Sequence, residues 1–161
     1  MVAVVFMAFT LFSCDSIAKK RAARNWSKEV SHPFPNANWS FEEAVQNFDF
    51  EIEDTTRFYE VSVKLVYDTA VATLLDIPLS LTLSTPDGMK SFSTSHFLLN
   101  MQENPDIKMT GEGNHAEASV TVYPRRKFKV PGTYTLTVYR RAEKADNYGF
   151  HSLTTKVNVV K

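Results

Sequence analysis

Cysteine is almost missing from this chain, whose 161 residues contain only Cys14. One thiol excludes an internal disulfide framework and a cysteine-based metal cluster. Glycine is scarce as well, five in all, and none of the five falls in a phosphate loop, a dinucleotide fingerprint or a Gly-x-Ser-x-Gly elbow. Net charge is absent: 18 Lys and Arg balance 18 Asp and Glu, with a pI near 6.9. Such a chain offers no basic footprint for nucleic acid. A long amphipathic helix is lacking too, since no stretch sustains an apolar period of 3.6.

Catalytic and metal constellations are equally thin. His32, His96, His115 and His151 lie far apart, and no two have metal-ligand spacing. A loop site combining His115 with Glu112 or Glu117 competes with solvated loop residues, and the second reading is favoured. No metal and no cofactor are therefore expected. Glu51 and Glu53 share one face of a strand, whereas catalytic carboxylates usually face each other across a cleft. The chain reads as non-enzymatic, with no evident small-molecule substrate.

What is present begins with hydrophobic residues at 43% and aromatics at 12%, enough for one domain with a real core. Residues 1–13 carry no charge, and the run MVAVVFMAFTLF holds Thr10 as its one polar residue. A helix of that length spans about 20 Å, short of the roughly 30 Å hydrocarbon core of a bilayer. It suits the apolar region of a signal peptide. Leu11 and Ser13 before Cys14 resemble the lipobox of bacterial lipoprotein signals, so Cys14 is the expected lipidation site. Several acyl chains on one cysteine would give a stable anchor, since each buried methylene contributes about 0.8 kcal/mol. The basic residue that usually opens such a leader is missing after Met1, and either an upstream start or a clipped reading frame would explain that. The competing reading of the leader is a short buried apolar element around an ordinary core cysteine.

After Cys14, residues 15–28 carry Lys19, Lys20, Arg21, Arg24 and Lys28 against Asp15. A solvated spacer is preferred there over attraction to anionic lipid. Residues 31–38 hold Pro33 and Pro35, which disfavour helix and ladder pairing. Ser40 and Glu43 are spaced as a capping box for one short helical turn. Residues 14–40 are thus expected to be an acylated cysteine and tether.

Period two then takes over. Phe48, Phe50 and Ile52 alternate with acidic residues; Val61, Val63, Leu65 and Tyr67 continue the theme, as do Leu79, Leu81 and Leu83. Thr85-Pro86-Asp87-Gly88 is a turn signal, leading to a strand near residues 90–94. Residues 100–115 read as a polar loop, and residues 118–123, 133–140 and 153–160 as further strands, with Pro131-Gly132 at another turn. The expected fold is all-β: an antiparallel sandwich, immunoglobulin-like or jelly-roll-like, over residues 41–161. Tyr134 shares its face with Leu136 and Val138 and belongs to the core. Trp39 is expected to plug one end of the sandwich.

Collinear motifs carry a family resemblance. Ser13-Cys14-Asp15, FPNANW at residues 34–39 and FDFEIEDT at residues 48–55 come first. Pro86-Asp87-Gly88, Gly111-Glu112-Gly113, FKVPGTYT at residues 128–135 and a final strand ending in Lys161 follow. In that order they resemble the GldH family of gliding-motility lipoproteins. The resemblance implies a cell-envelope lipoprotein of Bacteroidetes without known catalytic residues, held in a membrane by its lipid, on family grounds the outer membrane. It implies protein partners in the envelope and a scaffolding part in gliding or its associated secretion machinery. The alternative is a lipid-anchored glycan- or protein-binding module outside that machinery.

Overall fold

A strand sends successive side chains to opposite faces, and the period-two pattern of this chain builds two facing sheets. The computed structural model describes residues 26–161 apart from 73, 75, 101–103, 105–106, 111–112 and 142–146. Its strands are β1 (Ser27–Pro33), β2 (Asn38–Trp39), β3 (Val45–Ile52), β4 (Phe58–Asp68), β5 (Asp76–Ser84), β6 (Lys90–Leu98), β7 (Lys108–Met109), β8 (His115–Lys127), β9 (Gly132–Arg140), β10 (Asn147–Tyr148) and β11 (Phe150–Val160). Among the described residues the other regular element is a 3-10 turn at Pro35–Ala37.

One sheet has the order β1-β11-β4-β8-β7 and the other β3-β9-β5-β6, while β2 and β10 form a two-stranded ribbon. Every pairing is antiparallel. The all-β sandwich expected from the sequence is the fold observed. Between the sheets lie Phe48, Phe50 and Ile52 from β3, Val61, Val63 and Leu65 from β4, Leu79, Leu81 and Leu83 from β5, and Leu136 and Val138 from β9, all buried. Their outward neighbours are mostly polar, as a sheet with one wet face requires.

The Thr85–Gly88 signal forms the β5–β6 hairpin: the Thr85 carbonyl accepts the Gly88 N–H at 3.0 Å, and Gly88 sits at φ 83°. Pro131-Gly132, by contrast, carries the chain from one sheet to the other, because β8 and β9 belong to different sheets. The loop expected at residues 100–115 is less irregular than its polarity suggests. It contains β7, which pairs with β8, and the buried Ile107.

The expected tether over residues 14–40 needs correction. Residues 27–33 form β1, which pairs with β11 from Ser27↔Asn158 to Pro33↔Ser152. Phe34 and Trp39 are core residues, Trp39 fully buried. The reason is physical: the prolines sit at the end of the strand and in the 3-10 turn, where a missing N–H costs no ladder bond. Ser40 Oγ does accept the Glu43 N–H at 3.3 Å, but the segment makes a turn rather than helix. The folded domain therefore reaches back to Trp26, whose carbonyl accepts the Val159 N–H at 3.1 Å. The leader and Cys14 lie outside the described residues.

Candidate functional site

The two ends of the sandwich differ in chemistry. In the β4–β11 pair, Tyr59 faces Val159 at one end and Tyr67 faces Phe150 at the other. At about 3.3 Å per residue the eight-residue separation along β4 puts these ends about 26 Å apart.

At the Tyr59 end an open groove of about 460 Å³ lies between β1 and β3. Its aromatic wall is Trp26 and Tyr59, packed edge to face with ring centroids 5.7 Å apart. Its rim carries Asp49, Glu51, Glu53 and Asp54 together with Lys28 and Arg57. Beneath it Phe50 stacks on Tyr134 at 6.0 Å, and Phe128 meets Tyr134 at 4.6 Å. The Tyr134 hydroxyl donates to the Val130 carbonyl at 2.7 Å, so this core tyrosine keeps its polar end satisfied.

The β3–β4 turn shapes the groove. Asp54 Oδ1 accepts the Thr56 N–H at 3.0 Å, an Asx-turn, and Asp54 Oδ2 accepts Arg57 Nε at 2.6 Å. The Tyr59 hydroxyl donates to the Asp54 carbonyl at 2.8 Å. The Thr56 hydrogen bonds, then Arg57, hold the Asp54 carboxyl below its ordinary value. Burial pushes the Tyr59 hydroxyl up, so it stays a neutral donor. An aromatic wall beside fixed carboxylates can take a polar, ring-bearing or cationic group. Asp54 followed by Thr56 is an Asx-turn signal legible in the sequence, whereas its meeting with Trp26 from β1's entry is set only by the fold.

The opposite end is closed. Trp39 stacks on Phe34 at 5.0 Å, meets Phe150 at 6.2 Å, and donates its indole N–H to the Glu43 carbonyl at 3.0 Å. Arg140 is also buried, its guanidinium 5.4 Å from the Trp39 ring and Nη2 donating to the Ser40 carbonyl at 3.3 Å. Trp39 thus plugs the end, as expected.

Of the histidines, His32 lies 3.7 Å from Glu43, and His96 pairs with Asp76 at 3.3 Å on an exposed strand. His115 and His151, remote in sequence, come together with ring centroids 4.2 Å apart. Glu117, weighed as a partner of His115, instead pairs with Lys64 at 3.3 Å, and Glu112 lies outside the described residues. Glu51 and Glu53 do line the groove. Tyr139 and Tyr148 are exposed, whereas Tyr123 lies under the Arg126 guanidinium at 4.5 Å.

These features define a compact antiparallel β-sandwich domain with one open, acidic and aromatic end and one end sealed by tryptophan. The chain matches the family model for GldH lipoprotein over residues 27–155, and it belongs to that family. Membership makes it, at family level, a membrane-anchored envelope lipoprotein linked to gliding motility. No curated protein matches it. Among solved structures it is similar to a non-crystalline cellulose specific carbohydrate-binding module, with a TM-score of 0.42 and 14% identity over 81% of this chain and 71% of that one. It is also similar to part of dimeric latent PorU from Porphyromonas gingivalis, with a TM-score of 0.38 and 10% identity over 84% of this chain and 13% of that one. At these scores the likeness is one of general β architecture. Among the described residues no helix is long and apolar enough to cross a membrane.

Proposed function

We propose that this chain is a non-enzymatic lipoprotein, acylated at Cys14 and held in the outer membrane, whose sandwich scaffolds or stabilises an envelope assembly for gliding motility or its associated secretion machinery. The observation that carries this reading is the family match, which runs from the first residue of β1 into β11. The geometry supports a short leash. The chain enters the domain at Trp26, so residues 15–25 separate the cysteine from the first sheet contact. Fully extended, such a segment reaches about 40 Å.

Two measurements test the proposal. Mass spectrometry of the mature amino terminus should find a lipidated Cys14 as the first residue; an unmodified Cys14 inside an uncleaved chain sinks the anchor. The intact lipoprotein should co-purify with other components of the gliding or secretion apparatus. A second reading rests on the groove, where Trp26 and Tyr59 stand beside four carboxylates in the manner of a glycan subsite. If the lipoprotein comes out alone, and Trp26→Ala abolishes its retention on polysaccharide, the glycan-binding reading replaces the scaffold.

A further inference from the structure

Asp68, His115 and His151 each present one ligand atom, and these atoms lie within 4.8 Å of one another. Backbone geometry gathers them at the Trp39 end. Asp68 is the last residue of β4 and His115 the first of β8, and the two are direct partners across the ladder. Their neighbours Tyr67 and Ala116 are buried, so alternation puts both side chains on the outer face of the five-stranded sheet. His151 reaches the same place through a bulge: Phe150 pairs with Tyr67 and Ser152 with Val66, which leaves His151 as the extra residue. Bulges of this kind re-aim a side chain.

The surrounding backbone is tied down on all three strands. The Gly149 carbonyl accepts the Asp68 N–H at 2.7 Å, and the Asn114 carbonyl accepts both the Thr69 N–H and its hydroxyl at 2.9 Å. Asp68 Oδ1 accepts the Ala70 N–H at 2.8 Å, which orients the carboxylate and leaves its second oxygen for another partner. The three residues are half-buried. A further observation points to a ligand: His151 Nε2 is buried without a hydrogen-bond partner among the described residues, and a buried polar atom in that state is costly.

We propose that Asp68, His115 and His151 bind a single divalent transition cation of the zinc class. Two imidazoles and one carboxylate suit such an ion, whereas calcium and magnesium prefer all-oxygen sites. A tetrahedral ion with bonds of about 2.1 Å holds its ligands about 3.4 Å apart. The side chains therefore close by little more than about 1 Å, which small side-chain rotations supply on a fixed backbone. Three protein ligands leave a fourth position for water or for a donor from another molecule. The ion joins the ends of β4, β8 and β11, the central strands of the five-stranded sheet and its seam with the loop that follows β4. This inference stands apart from the envelope role, since it rests on side-chain geometry rather than on family membership.

Zinc chloride titrated calorimetrically into the intact, untagged chain with its thiol blocked should show one saturable site. His115→Ala and His151→Ala should each weaken it by about tenfold or more, and His96→Ala should leave it unchanged. Long-range nitrogen-15 spectra of the wild-type imidazoles test the same site without a variant that has to fold. His115 and His151 should respond to one equivalent of zinc, and His32 and His96 should not. No saturable binding, binding that survives both alanine variants, or a response confined to His32 and His96 overturns the proposal.

Discussion

Gly149 shows how much a single residue can decide in this domain. It sits at φ +86°, and a Cβ there would stand 2.8 Å from the Ala72 backbone nitrogen and 3.1 Å from Val71 Cβ. Gly88 has a similar φ of +83° but open space around it. The pair separates backbone preference from crowding. Gly88→Ala should cost about 1 kcal/mol for the left-handed conformation alone. Gly149→Ala should cost about 3 kcal/mol, because backbone must move as well; urea denaturation of both variants measures the difference. Asp54 provides the second residue-scale prediction. Its carboxyl is held below the ordinary 3.8 first by the Thr56 hydrogen bonds and then by Arg57. The unfolded chain therefore binds a proton that the folded chain resists. The stabilisation is complete above about pH 4 and is lost as pH falls through the lower folded-state value. Urea midpoints of wild type and Asp54→Asn should differ at pH 7 and draw together as pH falls below 4.

At the scale of elements, β1 is the part that a reading of the sequence misplaces. Its burial is modest, with no fully buried side chain in the strand, so the alternating apolar pattern that marks β3, β4 and β5 is missing. What holds it is main-chain pairing to β11 and the two aromatic residues that follow it. A chain beginning at residue 41 loses Phe34 and Trp39 and exposes the edge of β11. Deleting a buried aromatic costs about 3–5 kcal/mol, and a domain has only about 5–15 kcal/mol in total. That chain should be unfolded or insoluble, whereas one beginning at residue 26 should give a cooperative thermal transition by circular dichroism. A folded, soluble 41–161 would show that β1 and Trp39 merely decorate the sandwich. Elsewhere the elements were legible: β3, β4, β5, β9 and β11 announce themselves by alternation, and Pro86-Asp87-Gly88 by turn chemistry. The same signals could not show that Pro131-Gly132 changes sheets, because a turn motif carries no information about which sheet receives the next strand.

For the whole molecule, the separation of its two ends is the organising fact. The groove lies where the amino-terminal segment enters, and the Asp68–His115–His151 cluster lies at the far end of the same strands. An ion bound only by the folded state raises its stability by about 2.7 kcal/mol at a concentration 100 times its dissociation constant. For a domain of this size, where each kcal/mol shifts Tm by about 3–4 °C, that corresponds to a rise of about 9 °C. Calorimetric scans with and without zinc should show that rise in wild type and lose it in His151→Ala.

The sequence by itself determined the all-β class, most inward faces, the burial of Trp39 and Tyr134, and the family, because alternation, turn residues and collinear motifs are local properties of the chain. The proposal that Cys14 is the anchor also rests on local sequence alone. Tertiary structure alone decided that residues 27–40 belong to the domain, that Asp54 and Arg57 shape a groove with Trp26, and that Asp68 meets two histidines from other strands. Those outcomes depend on register, on one bulge and on which sheet each strand joins. They are set by packing between segments far apart in the chain, which no local pattern encodes.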